Sequence, residues 1–205
     1  MAEPAVASFA LQPTERVNLA SVDVLLVDST PESLEVLAQM FAGFGVQMPH
    51  RADSCASARQ IIGERSFSLI VIDGALCDGD GYGLSEWVRR EAGEPNRFAS
   101  IILLTGHTRQ SEVFRGRDAG ANFVIRKPAS PMVMMHRILW LSRDKRDFIE
   151  APGYCGPDRR FRKLGPPDGV QGRRKDDLSA QVGAATDPNM DQSEIDAMFQ
   201  PRRAG

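Results

Sequence analysis

Cysteine is scarce in this chain, and what there is cannot build a framework. Cys55, Cys77 and Cys155 are odd in number and lack metal-ligand spacing. They read as reduced thiols, so a cytoplasmic setting is expected. No apolar run reaches the length that spans a bilayer, so no membrane partner is expected. The opening segment MAEPAVASFALQ lacks a basic stretch and a long apolar core, and does not read as an export signal. Net charge is only −2, which removes any global pull toward nucleic acid. No internal repeat is visible. Neither a GxGxxG nor a P-loop follows the first apolar segment, which leaves a nucleotide-binding α/β domain without support. What remains, at 42% hydrophobic and 25% charged residues over 205, is a soluble globular chain. It has room for one ordinary domain and a tail, or for two small domains.

The chain is organised around the stretch from Ser68 to Leu84, SLIVIDGALCDGDGYGL. Leu69 to Ile72 is an apolar run of strand length, continuous as a strand buried on both faces requires. Behind it, Gly74, Gly79, Gly81 and Gly83 with Asp78 and Asp80 predict a mobile loop, neither strand nor helix. Asp73 therefore falls at the carboxyl end of a central strand, where open α/β sheets place their ligands. Taken alone, it could equally be an Asp that starts a turn.

Four further strands are predicted around it. They run from Val22 to Val27, weakly from Val46 to His50, from Ser100 to Leu104 and from Asn122 to Arg126. Helices alternate with them. The first starts at Thr30-Pro31-Glu32, with Pro31 suited to a first turn, and ends near Gly43. The second is marked by Ala58, Ile61 and Ile62, the third runs from about Leu84 to Arg90, and the fourth from Gln110 to Ala119. The last runs from Pro131 toward Phe148. Five such alternations predict an α/β fold, a doubly wound five-stranded parallel sheet. Its strand ends bring Asp28, Asp73, Thr105 and Lys127 to one rim.

These residues carry a resemblance. An Asp ends the first strand and another ends the third, with Asp80-Gly81 following. Thr105-Gly106 ends the fourth strand, then come Ala119-Gly120-Ala121 and Lys127-Pro128. In this order and spacing the chain resembles the receiver domain of two-component response regulators, of which CheY is the simplest relative. The resemblance covers roughly residues 20 to 148. It implies a flavodoxin-like receiver with strand order 2-1-3-4-5 and a role in a phosphorelay. The donor would be a histidine kinase or a histidine phosphotransfer protein. It implies Asp73 as phosphoacceptor, Lys127 as the ammonium that neutralises phosphoryl oxygens, and Thr105 as the hydroxyl beside the acyl phosphate. It further implies Mg²⁺ held by Asp28, Asp73 and the backbone carbonyl of Ala75. Positive charge is needed there because nucleophile and donor are both anionic. The implied protein is a phosphoacceptor, not an enzyme in the ordinary sense.

Three residues depart from the family's pattern. Ser29 stands where a second acid is usual; its neutral hydroxyl is a weaker Mg²⁺ ligand, so reduced metal affinity is expected. Cys77 replaces a Pro and should loosen the loop. Val124 occupies the position of an aromatic switch residue, and Phe123 beside it faces the other side of the strand. Two readings therefore stand: a phosphorylated regulator without a DNA-binding or enzymatic output, and a phosphorylation-independent interaction module.

Composition changes after the receiver. The boundaries read as a lead-in over 1–20, the receiver over 21–149, a basic Gly/Pro-rich tail and linker over 150–188, and a short docking helix over 189–200. The tail cannot bury enough surface to fold alone. It is either a solvated linker or a strap tied back by Tyr154 and Phe161. Arg159, Arg160, Arg173 and Arg174 are its candidate anion contacts. That basic cluster is too short to favour nucleic acid or a cyclic dinucleotide. Near the end, Asp191 and Glu194 are spaced as a capping box, and Ile195, Met198 and Phe199 make a narrow apolar face. This segment resembles the CheY-binding N-terminal peptide of the flagellar switch protein FliM. It implies docking on a CheY-like receiver, in cis or on another chain, or on a flagellar or chemotaxis component. Alone so short a helix is marginal, and it should form mainly when docked.

Overall fold

A computed structural model describes residues 18–144, 146–159 and 191–199. Strands β1 (Val24–Val27), β2 (His50–Ala52) and β3 (Leu69–Asp73) alternate with helices α1 (Pro31–Gly43) and α2 (Cys55–Glu64). Behind β3, two-residue strands β4 (Ala75–Leu76) and β5 (Gly79–Asp80) lead into α3 (Gly81–Arg90). Then follow a 3₁₀ turn (Asn96–Phe98), β6 (Ser100–Thr105), α4 (Gln110–Asp118), β7 (Phe123–Arg126) and α5 (Pro131–Ser142). After α5 come β8 (Phe148–Ala151) and β9 (Tyr154–Pro157), and finally α6 (Gln192–Phe199).

The central sheet has the order β2-β1-β3-β6-β7, all parallel. With the loop strands set aside, this is the expected 2-1-3-4-5. β3 sits in the middle and all five of its residues are buried, because helices cover both faces. The register pairs Val27 with Ile72 and Asp73 with Leu104, so the strands reach one rim together.

Some local expectations shift. β2 begins at His50, where Val46 to His50 had been expected, and α5 stops at Ser142, short of Phe148. The stretch behind Asp73 is not a plain loop. β4 and β5 pair antiparallel, and Asp78 between them accepts from the amides of Cys55 and Ala56 at 2.7 and 2.9 Å. Those are free N–H groups in the first turn of α2, which a carboxylate satisfies well. So Asp78 anchors the segment although Cys77 brings no proline.

Residues 148–157 also fold. β8 and β9 pair antiparallel and lie against α3, with Phe148 edge-on to Phe98 at 4.8 Å. Under them Arg89 is 1% exposed and donates to the carbonyls of Gly120, Arg97 and Ala99 and to Asn122 Oδ1. Burial pulls its pKa down to about 10. Four acceptors thus stand in for a carboxylate. The segment expected as the start of an extended tail is, to Pro157, a strap on the receiver.

Candidate phosphoacceptor site

Asp28 and Asp73 reach the rim by different routes. Asp28 directly follows β1, and its Oδ1 accepts from the amide of Thr30 at 2.9 Å, which fixes the turn into α1. Asp73 is the last residue of β3. Lys127, directly behind β7, stretches between them: its Nζ lies 2.7 Å from Asp28 Oδ2 and 3.0 Å from Asp73 Oδ2. Asp28 is fully buried and Asp73 nearly so. Burial alone would lower the lysine pKa, but the bonds to Asp28 and Asp73 outweigh it and raise it above its ordinary value. The Lys127-Pro128 peptide is cis. Lys127 also donates its backbone N–H to the carbonyl of Thr105 at 2.8 Å, which ties the β6 and β7 ends together.

Thr105 ends β6, 5% exposed. Its hydroxyl donates to the carbonyl of His107 at 3.0 Å and accepts from the His107 amide at 3.1 Å. Gly81 explains the Asp80-Gly81 pair. Any Cβ there would overlap the carbonyl oxygen of Asp73, so only glycine lets α3 start so close to that strand end. Asp80 caps the helix, accepting from Gly83 N at 2.7 Å.

The donor set for Mg²⁺ is two carboxylates, with half-buried Ser29 beside Asp28 and exposed Ala75 two residues past Asp73. Among the described residues no group of three or more acidic, His or Cys side chains forms a metal cluster. Two carboxylates are nonetheless what Mg²⁺ usually takes from a protein, water filling the other positions. The site fits the ion, with Lys127 as competitor for the same oxygens. Beside it, a mainly apolar groove of about 470 Å³ runs between α1 and the segment that follows β7. Val36, Leu37, Met40, Lys127, Pro128 and Ala129 line it.

The predicted docking residues divide. Ile195 on α6 is fully buried, and the expected capping box is formed: Asp191 N donates to Glu194 Oε2 and Glu194 N to Asp191 Oδ1, each at 2.9 Å. The side chains of Met198 and Phe199 lie outside the described residues. α6 lies along β7, the sheet's edge, which offers an unpaired amide and carbonyl. Gln192 meets both, accepting from Arg126 N at 2.8 Å and donating to Val124 O at 3.4 Å. Asp196 pairs with Arg137 of α5. Gln192, Asp196 and Arg137 were not singled out in the sequence, where nothing tells an interfacial Gln from a solvated one. Of the candidate anion contacts, Arg159 is engaged, stacked 3.7 Å from the Tyr154 ring centre and paired with Asp118 at 2.8 Å. Arg160, Arg173 and Arg174 lie outside the described residues.

No helix among the described residues is long and apolar enough to cross a membrane. Comparison with known proteins agrees with the geometry. The family described as "Response regulator receiver domain" matches residues 24–139. The chain is 35% identical over 134 residues to the transcriptional regulatory protein GltR of Pseudomonas aeruginosa, covering 63% of this chain and 52% of GltR. It is 29% identical over 116 residues to the two-component response regulator PprB of the same organism, covering 55% and 41%. The chain thus spans about half the length of these relatives, or less. Among solved structures, the signal receiver domain of a signal transduction histidine kinase from Syntrophus aciditrophicus is 25% identical, with a TM-score of 0.54. It covers 65% of this chain and 99% of that one. Residues 24–139 therefore place the chain in the response regulator receiver domain family.

Proposed function

We propose that this receiver accepts a phosphoryl group on Asp73 from a phosphohistidine donor and signals by binding other proteins. The observation that carries the reading is the single ammonium of Lys127 bonded to both rim carboxylates, with Thr105 at the end of the adjacent strand. An Asp73 carboxylate oxygen attacks phosphorus while the P–N bond of the donor breaks. The imidazole nitrogen keeps the electron pair and takes up a proton. Lys127, already charged, offsets the negative charge gathering on the phosphoryl oxygens and costs no reorganisation. Thr105 supplies an O–H to one of those oxygens. Asp28 and Asp73 would hold Mg²⁺, with the Ala75 carbonyl and a weak contribution from Ser29; bound there, it screens nucleophile from donor. The groove beside α1 suits an apolar helix of a histidine kinase or phosphotransfer protein. The test is intact mass after acetyl phosphate and Mg²⁺: one phosphoryl adduct on the native chain and none on Asp73→Asn. An adduct that survives in the variant moves the site elsewhere.

A second reading, an interaction module independent of phosphorylation, is favoured by α6, which occupies the β7–α5 face through Gln192 and Asp196. Here the terminal helix blocks its own receiver, and another CheY-like receiver or a chemotaxis component competes for it. In the full chain, Ile195→Asp should speed hydrogen exchange at the Arg126 amide at least tenfold, since burying an isoleucine is worth about 1.5–3 kcal/mol. Unchanged exchange there removes the docking reading.

A further inference from the structure

The groove between α1 and the segment that follows β7 lies open beside the phosphoacceptor. On α1 its wall is one helical stripe of Ser33, Val36, Leu37 and Met40. Leu37 is buried at the bottom of it, whereas Val36 is 61% exposed. Its charged lining groups are Asp28, Glu32 and Lys127, all at the end nearest the rim. The rest is an apolar trough of ligand-pocket size, and such a surface on a soluble domain calls for an occupant.

The same stripe leads on to Phe44, four residues past Met40, and there the chain's own leading segment arrives. Leu19 is buried and donates its amide to the carbonyl of Phe44 at 3.0 Å, so Asn18, the first described residue, stands at the far end of the stripe. Residues 1–17 lie outside the described residues. Their sequence holds a stretch without charge, Pro4 to Pro13, whose large apolar side chains are Val6, Phe9 and Leu11. From Phe44 back to Val36 is about 12 Å at the rise of an α-helix. Leu11 and Phe9 precede Asn18 by seven and nine residues, which span up to about 23 and 30 Å when extended. Both therefore reach the groove. A tether this short sets a local concentration of about a millimolar, at which even a weak contact is populated.

We propose that residues 5–11 seat in this groove, with Phe9 and Leu11 anchored on Val36, Leu37 and Met40, so that the chain covers its own donor-docking surface. An uncharged segment suits an apolar wall because no ion loses its water on binding. The other ends of the chain fit less well. α6 is held on the β7–α5 face by Gln192 and Asp196, and the stretch from Arg159 to Lys163 would bring guanidinium and ammonium groups to the trough. The seating stands on reach and chemistry. Its consequence, that a donor's apolar helix must first displace the segment, rests on the groove being where the phosphodonor docks.

The test uses NMR of the full chain with labelled methyl groups and backbone amides. In a variant carrying both Phe9→Asp and Leu11→Asp, the methyl resonances of Val36, Leu37 and Met40 should move, while those of Ile62 and Val88, buried on α2 and α3, stay still. A separate peptide of residues 3–13 should return the groove methyls of the variant toward their native positions. From the other side, Val36→Glu, at an exposed position, should carry the Phe9 and Leu11 amides toward their positions in the free peptide. Groove methyls that coincide in native and variant proteins would overturn the seating. Differences that fade on dilution would put a second copy's segment in the groove and overturn it equally. The phosphoacceptor is read apart from this, by intact mass after acetyl phosphate and Mg²⁺. No adduct on either protein would overturn the Asp73 reading and the consequence for the donor, with the methyl shifts untouched.

Discussion

Replacing Lys127 with Met keeps most of the stem and removes the ammonium that Asp28 and Asp73 share. Two carboxylates, one fully buried and one nearly so, are then left facing each other. Their Oδ2 atoms both touch one nitrogen, so they stand no more than about 6 Å apart; at an effective dielectric near 20 their repulsion is roughly 3 kcal/mol. Breaking a buried ion pair from one side typically costs about 3–5 kcal/mol, in agreement. Lys127→Met should therefore unfold in urea about 3 kcal/mol more easily than the native chain at pH 7 without metal, followed by Trp87 and Trp140 fluorescence. The loss should depend on pH in a definite sense. In the native chain the Lys127 pKa is raised in the folded state against desolvation by its bonds to Asp28 and Asp73, so the stability it contributes is fully present below the ordinary lysine value and is lost as pH rises through the raised folded one. The variant should lack that alkaline fall. Mg²⁺ should restore much of the loss at pH 7 and bind tighter than in the native protein, because the competing ammonium is gone. A variant within about 0.5 kcal/mol of native at pH 7, the scatter of ordinary surface substitutions, would refute a coupled rim.

Ser29→Asp adds a third carboxylate beside Asp28 and should tighten Mg²⁺ binding several-fold by calorimetry, while costing the metal-free protein about 1 kcal/mol by urea unfolding. Equal affinity in both proteins would remove Ser29 from the metal site. Arg89→Leu takes the guanidinium from three backbone carbonyls under the β8–β9 strap and leaves Asn122 Oδ1 with the Ile101 amide alone. It should cost about 3–5 kcal/mol, with the urea midpoint as readout; an unchanged midpoint would mean water replaces the guanidinium freely.

Much of the fold is legible because the signals are local and mutually consistent. The runs Leu69 to Ile72 and Ser100 to Leu104 are too apolar to sit anywhere but between helices, and Pro31 and Gly43 bracket α1. Asp28, Asp73, Thr105 and Lys127 could be placed on one rim because parallel strands of similar register end together. The local reading failed where a contact from far along the chain decides the outcome. Cys77 for proline suggested a loosened loop, yet Asp78 is clamped by amides more than twenty residues earlier. Residues 148–157 carry no strand periodicity worth the name, and they fold because Arg89 and Phe98 give them a surface.

The sequence by itself determined the alternation of elements, the parallel sheet and the identity of the rim residues, since each follows from nearest neighbours and spacing. Only the tertiary structure decided which groups share a partner. That Lys127 bridges both aspartates and that Gln192 satisfies the open edge of β7 are outcomes of packing. The physical reason is range: periodicity fixes which way a side chain faces its own element, whereas a hydrogen bond across ninety-nine residues depends on where two elements finally meet.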